Sequence, residues 1–388
     1  MSCNDVIGQH PSKSGPVTAL CVYPGASDIL VGYHNGIVAL RHWNAFSTES
    51  GLEIAAHRGA VSGILPLESS MAAPVADGDA DDKVDAAAGQ QQCTCITSSG
   101  DGDIKAWNLP SGEWVTTLSG HEGHVQRVAA VRDGDKTTIY STGSDGTLRV
   151  WDLEGGVCIH SLRCHVGRIT ALFLPAEWPK APETTEAAPV AGQEVPPDSV
   201  VYVQGRQPVF TGSDDSLVKL IDPKSKTISA IYKTDAGVLD VQLLYPTLFA
   251  AGSDGVIRGF NSETARPTII LRGHRDAVNA LGVHLGNGSS RYLLSLSDDT
   301  TVTWWDQTSW TPTHVFRGHT KSVLCCASDS KGQRIFTAGF DGAVRVWDAA
   351  PINERLMATE QAAAEAAAAA KAKKKKADPK PSPKRGRR

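Results

Sequence analysis

Apolar positions along this chain fall in short runs of alternating polarity, each entered through a polar turn. The clearest run is Thr147-Leu-Arg-Val-Trp151, entered through Gly143-Ser-Asp-Gly146 and followed by Asp152. Ala343-Val-Arg-Val-Trp347 follows Gly339-Phe-Asp-Gly342 in the same way, and Ser297-Asp-Asp-Thr300 and Gly100-Asp-Gly-Asp103 open close variants. Alternation with period two predicts β-strands with one face buried, and the Gly- and Asp-rich turns predict tight connections between them. Seven such units recur with a period of about forty residues, so they form one repeat architecture and not a set of independent motifs.

Aligned on the turn, the repeats show fixed columns. The turn residue is Asp101, Asp145, Asp215, Asp254, Asp299 and Asp341, with Asn35 in the weakest copy. Six positions later stand Trp107, Trp151, Ile221, Phe260, Trp305 and Trp347, with Arg41 in the weak copy. A small hydroxyl precedes the turn at Thr97, Ser141, Thr211, Ser295 and Thr337, and before it comes His57, His121, His165, His274 or His319. Three of these histidines follow glycine, and a β-branched residue stands four positions after each.

These columns resemble the WD40 repeat, the family of the G-protein β subunit. The resemblance runs from about residue 5 to about residue 350. It implies an all-β fold, a seven-bladed propeller of four-stranded antiparallel sheets, within residues 1–351. It also implies that His, Ser/Thr, Asp and Trp of one blade form a buried hydrogen-bonded set. Four sets are complete: His57-Thr97-Asp101-Trp107, His121-Ser141-Asp145-Trp151, His274-Ser295-Asp299-Trp305 and His319-Thr337-Asp341-Trp347. Blade four lacks only Trp, blade five has Thr234 for His and Ala250 for the hydroxyl, and blade one has none of the four, which puts the rigidity of the weak blades in doubt. Val6-Ile7 resembles the outer strand that precedes Gly-His elsewhere, so residues near 5–9 are expected to complete the seventh blade and cover its open edge.

Two stretches interrupt the repeats. Residues 68–91 and 175–205, rich in Ala, Asp, Gly, Pro and Glu, are expected to be loosely held insertions in blades two and four. The acidic run Asp77 to Asp82 reads as a solvated loop or as a recruiter of a basic partner. Beyond Asp348 the composition changes. Residues 352–376 are Ala-rich and favour helix, and residues 377–388 read as a disordered basic tail.

Charge changes the picture most at that end. Residues 371–388 hold ten Lys/Arg against Asp378; removing that +9 from the whole-chain charge of −4 leaves −13 for the rest. Lys371, Lys373, Lys374, Lys375 and Lys376, then Lys384, Arg385, Arg387 and Arg388, resemble a nuclear-import signal with two basic clusters and the basic extensions of nucleolar proteins. An import receptor, RNA, or no partner beyond solvent are the readings left open. No run of about eighteen apolar residues predicts a membrane span, and no apolar core near the N-terminus predicts a signal peptide.

Candidate chemistry is thin. Cys158-Ile-His-Ser-Leu-Arg-Cys-His165 has metal-ligand residue types, but His165 already belongs to a repeat column, and vicinal Cys325-Cys326 reads as strand thiols before it reads as a redox pair. No phosphate loop or nucleophile elbow occurs, and each His-Ser-Asp set belongs to the repeat, so no catalytic residue, metal or cofactor is expected. The resemblance instead implies a top face lined by the residue before each turn Asp and by residues opening each first strand. Tyr33, His34, His124, Gln126, Arg168, Asp214, Asp298 and Phe340 are the candidate partner-binding residues, with Tyr33 and Phe340 as exposed aromatic anchors. The expected function is a non-enzymatic protein scaffold, monomeric within a hetero-complex, nuclear or nucleolar; a cytoplasmic signalling or ribosome-associated adaptor is the alternative.

Overall fold

A computed structural model describes residues 6–11, 15–22, 28–42, 52–67, 94–175 except 110 and 135, and 207–352 except 286–290, 308 and 330. The acidic run, both insertions apart from Pro175, the Ala-rich segment beyond Ile352 and the whole basic tail, Lys371 to Arg388, lie outside the described residues.

The described chain forms seven four-stranded antiparallel sheets. The first strand, β1 (Val6–Pro11), is set aside for the last sheet. Blade 1 is β2 (Val17–Val22), β3 (Asp28–Tyr33), β4 (Ile37–His42) and β5 (Glu53–Ala55). Blade 2 is β6 (Val61–Pro66), β7 (Cys95–Ser99), β8 (Asp103–Asn108) and β9 (Glu113–Ser119). Blade 3 is β10 (Val125–Asp133), β11 (Lys136–Gly143), β12 (Thr147–Asp152) and β13 (Val157–Arg163). Blade 4 is β14 (Ile169–Phe173), β15 (Val209–Ser213), β16 (Leu217–Asp222) and β17 (Thr227–Lys233). Blade 5 is β18 (Val238–Leu244), β19 (Thr247–Gly252), β20 (Val256–Asn261) and β21 (Pro267–Arg272). Blade 6 is β22 (Val278–Leu285), β23 (Arg291–Ser297), β24 (Thr301–Trp305) and β25 (Pro312–Arg317). Blade 7 takes β26 (Val323–Ser328), β27 (Arg334–Gly339) and β28 (Ala343–Asp348), and β1 pairs with β28 as its fourth strand, with Gln9 opposite Arg345.

A sheet of four strands has two faces, and each blade buries them against its two neighbours. Apolar clusters fill every seam. Phe210, Leu220 and Tyr232 of blade 4 meet Val238, Leu248 and Phe260 of blade 5. Tyr292, Trp304 and Phe316 of blade 6 meet Ile335 and Trp347 of blade 7. Val31 and Tyr33 of blade 1 meet Phe336 and Val346 of blade 7, which closes the ring. The seams of blades 1–2, 2–3, 3–4 and 5–6 have clusters of their own.

The polar sets lie at these seams. In blade 3 the Trp151 Nε1–H donates to Ser141 Oγ at 2.8 Å, the hydroxyl lies 2.7 Å from His121 Nε2, and His121 Nδ1 lies 3.0 Å from Asp145 Oδ2. A carboxylate only accepts, so Nδ1 carries the proton and Nε2 accepts from the hydroxyl. The same chain runs through His57-Thr97-Asp101-Trp107, His274-Ser295-Asp299-Trp305 and His319-Thr337-Asp341-Trp347. Blade 4 keeps the His165-Thr211-Asp215 part and places buried Ile221 where the indole would be. Each of these five aspartates also accepts two backbone N–H groups, one two residues on in its own turn and one just after the histidine. One carboxylate therefore ties the turn to the loop that brings the chain in from the preceding blade.

Electrostatics follows that geometry. Burial holds the His57, His121 and His165 imidazoles below their usual pKa, which keeps them neutral donors to carboxylate. Burial alone would raise the aspartates, but their hydrogen bonds outweigh it: Asp101, Asp215, Asp299 and Asp341 sit below the usual carboxylate value, and Asp145 falls to about 2. The glycine before His121, His274 and His319 has a packing reason too: a Cβ on Gly120, Gly273 or Gly318 would sit 2.9–3.3 Å from the far edge of Trp151, Trp305 or Trp347.

The weak blades are held by other contacts. In blade 5, Arg258 grips Asp254 with two nitrogens at 2.7 and 3.1 Å, occupying the carboxylate that has no histidine. Phe260 stands at the Trp position and packs edge-on against Tyr232, at 5.7 Å between ring centroids. In blade 1, Asn35 caps only its own turn, accepting from Ile37 N at 3.3 Å, and Arg41 pairs with Glu53.

Asp145→Ala should strand the His121 Nδ1–H and two backbone donors, lowering stability by about 1–3 kcal/mol, whereas Asn35→Ala should cost much less. Thermal melts of the two variants check this; equal shifts would contradict it.

Candidate functional site

Every blade repeats one contact at the end that carries its turn. The residue before the turn Asp or Asn donates its backbone N–H to the carbonyl of the residue that precedes the blade's first strand. The pairs are His34 to Pro16, Gly100 to Ala60, Ser144 to His124, Asp214 to Arg168, Ser253 to Gly237, Asp298 to Ala277 and Phe340 to Ser322, all between 2.8 and 3.2 Å. Both groups of candidate residues are thus fastened side by side on one face of the ring.

Each first strand then breaks register after its first residue, as between Val125 and Arg127, Ile169 and Ala171, and Val278 and Ala280. A bulge adds one residue that is not opposed in the ladder and re-aims its side chain. The bulged residues include Gln126, Thr170 and Asn279. Asn279 Nδ2 donates to Asp298 Oδ1 at 2.6 Å and to Val323 O of the next blade at 3.1 Å. Thr170 bonds the Val238 carbonyl of the next blade and is buried. In blade 5 the residue after the bulge does similar work: Asp240 Oδ2 accepts the Leu281 N–H of blade 6 at 2.8 Å. The strand edges that line the axis are therefore stitched blade to blade as well as packed.

The candidates separate by exposure. His34, His124, Arg168 and Phe340 are exposed, and Gln126, Asp214 and Asp298 are half-buried. Arg168 Nε meets Asp214 Oδ2 at 2.6 Å, an exposed pair that sets position more than stability. Phe340, 42% exposed, lies with its ring centroid 6.5 Å from that of His34, so the seam between blades 7 and 1 presents an aromatic pair.

Tyr33 corrects the sequence reading. It is 2% exposed and packs with Val17, Val31 and Phe336, so it is core and not an anchor. Its column explains why. The equivalent positions are Ser99, Gly143, Ser213, Gly252, Ser297 and Gly339, small residues inside the blade, and Tyr33 fills that inward slot in the blade without a polar set.

One column escaped the sequence reading, although the repeats display it. Two positions before the Trp column stand Lys105, Arg149, Lys219, Arg258 and Arg345. Lys105 Nζ donates to Ala56 O at 2.7 Å and Lys219 Nζ to Cys164 O at 2.6 Å, each holding the loop just before a set histidine. Arg345 Nη1 donates to Asp341 Oδ2 at 2.7 Å, and the Arg149 guanidinium lies 5.9 Å from the Trp151 ring centre. A basic residue recurring inside an otherwise apolar strand was the available signal.

For other chemistry, no group of three or more His, Cys, Asp or Glu among the described residues is arranged to hold a metal ion. Burial pushes the Cys325 and Cys326 thiols up, so they are poor nucleophiles. No described helix is long and apolar enough to cross a membrane.

Comparison with known proteins agrees with the architecture. The family model described as "WD domain, G-beta repeat" matches residues 112–152, 265–306 and 310–348. Autophagy-related protein 16 of Arabidopsis thaliana is 30% identical over 155 residues, covering 39% of this chain and 30% of the relative. Pre-mRNA-processing factor 19 of Bos taurus is 30% identical over 145 residues, covering 36% and 28%. Polycomb protein esc of Drosophila virilis is 30% identical over 120 residues, covering 30% and 28%. The matches thus span less than a third of each of these relatives. Three matched repeats, seven sheets in one ring and the hydrogen-bonded His-Ser/Thr-Asp-Trp sets at its seams have one reading: the chain carries WD40 repeats and folds as a seven-bladed β-propeller.

Proposed function

We propose that the chain is a non-enzymatic docking scaffold whose top face holds a protein partner, with the contact centred on Phe340 and His34. The observation that carries this is the exposed aromatic pair at the blade 7–1 seam, on a face that the seven N–H to carbonyl contacts hold rigid. A partner side chain seated there loses little of the face's own order, because the backbone beneath it is already fixed. Aromatic residues contribute disproportionately to such contacts. His124, Gln126, Arg168, Asp214 and Asp298 supply the polar surround.

The setting proposed is a nuclear or nucleolar assembly. Support comes from the basic segment 371–388, with its net +9, and from two relatives whose names refer to pre-mRNA processing and to Polycomb. In this reading the tail is an address or an RNA contact that works separately from the disc. The scaffold role and the setting stand apart: the first rests on the face, the second on the tail.

Replacing Phe340 and His34 together by Ala should remove one or more partners from an affinity purification with little change in melting temperature, since both side chains are exposed. Retention of every partner by a stably folded variant would take the top face out of the proposal. Deleting residues 371–388 should leave the melting temperature nearly unchanged while nuclear enrichment or salt-sensitive RNA association falls. A truncated chain that keeps both its location and its RNA association would favour the cytoplasmic adaptor.

A further inference from the structure

Among the described residues, the outermost strand of each blade bonds to one neighbouring strand and has no partner strand on its other edge. β17 pairs with β16 and β21 pairs with β20, and neither has a second strand partner among the described residues. Open edges of this kind invite pairing, and charge along them usually prevents it. The outer strands of blades 4 and 5 carry an unusual version of that charge. Residues 223–234 and 265–275 contain no Asp or Glu, and Lys224, Lys226, Lys233, Arg266, Arg272 and Arg275 are all exposed. The outer strand of blade 2 opens on Glu113 and the turn entering that of blade 3 carries Glu154; the outer strand of blade 6 is also free of acids, but it opens on Pro312, which has no N–H to donate. Outside the tail the chain is strongly acidic, so this part of the rim has the opposite sign to the body that bears it.

Where the charges fall matters as much as their number. On β17 the cations stand at the two ends, Lys226 just before the strand and Lys233 closing it. The middle is apolar and outward: Ile228 is 41% and Ile231 45% exposed. On the adjoining blade Ile270, 56% exposed, sits between Arg266 and Arg272 in the same arrangement. Charges at the ends leave the centre of the edge free to pair, and the isoleucines give an added strand something to cover. The ladder of β17 with β16 shifts register at Ser229, between the two isoleucines; beyond it Ala230 to Lys233 run in regular antiparallel register with Leu220 to Leu217, so the extended template is that half of the strand. β21 is the poorer template, because it opens on Pro267, which has no N–H to donate.

We infer that the open edge of β17, flanked by the rim of β21, is a strand-addition site for a partner protein's extended segment with an apolar centre and acidic flanks. Main-chain hydrogen bonds to β17 would supply affinity. The isoleucines would select an apolar centre, and Lys226 and Lys233, aided by Arg272, would select acidic ends and fix direction. This site is on the rim, separate from the top face, so one disc can hold two partners at once.

The test uses the full chain and a short synthetic peptide with a Val-Thr-Val-Ile centre and a Glu pair at each end. Amide hydrogen exchange should slow in β17 when this peptide binds and stay unchanged at Phe340 and His34. Lys226→Glu with Lys233→Glu should weaken binding about tenfold or more without shifting the melting temperature, and the same peptide with Lys flanks should not bind. Absence of protection in β17, or equal binding of the Lys-flanked peptide, would overturn the inference and leave the cations as guards against pairing. Binding of phosphatidylserine vesicles through the same lysines, with the peptide inert, would also overturn it and assign the rim to an anionic lipid surface.

Discussion

Closure of the ring is the constraint on which everything else in this molecule depends. A single blade has two apolar faces and can bury neither. Seven blades bury all of them only if the last meets the first, and here Val31 and Tyr33 of blade 1 pack on Phe336 and Val346 of blade 7. The closing sheet is built from both ends of the propeller, three strands from residues 323–348 and one from Val6–Pro11. The same pairing that joins the ends also covers the β28 edge. Repeat arrays that end openly need capping units; this one is capped by itself.

The hydrogen-bonded sets orient the blades within that ring. Their buried hydroxyls, imidazoles and carboxylates leave few donors unmatched, and each carboxylate binds both its own turn and the incoming loop. That double tie is why the turn residues and the strand-opening residues lie together on one face. The face suited to docking is therefore a by-product of how the repeats hold together. Blades without a full set are not left slack. Arg258 takes over Asp254 in blade 5, and Tyr232 with Phe260 fills that seam with aromatic rings.

Much of this was legible in the sequence, because each feature was a column repeated along the chain. The turn Asp, the Trp, the hydroxyl and the histidine could be read from spacing, as could the number of blades. Tyr33 could not, since a column of Ser and Gly does not announce that its slot points inward. Arg258 itself belongs to the recurring basic column, but its partner was hidden: that it grips Asp254, in the blade whose histidine is missing, is a pairing that a single column does not carry. The bulge at the start of each first strand leaves no trace in residue type, because Gln126, Thr170, Leu239, Asn279 and Leu324 share neither size nor polarity. The rim of blades 4 and 5 carries no sequence signature, because a run without acids in an acidic chain is a feature of composition, not of motif.

The most direct measurement of the central claim is thermal unfolding of a chain lacking residues 1–11, followed together with amide exchange of β28. If closure holds the ring, removing β1 should lower the melting temperature sharply and expose the β28 amides, with fast exchange spreading first to the blade 7–1 seam. Unchanged melting with β28 still protected would contradict the account, because the seventh blade would then be complete without the strand that joins the two ends.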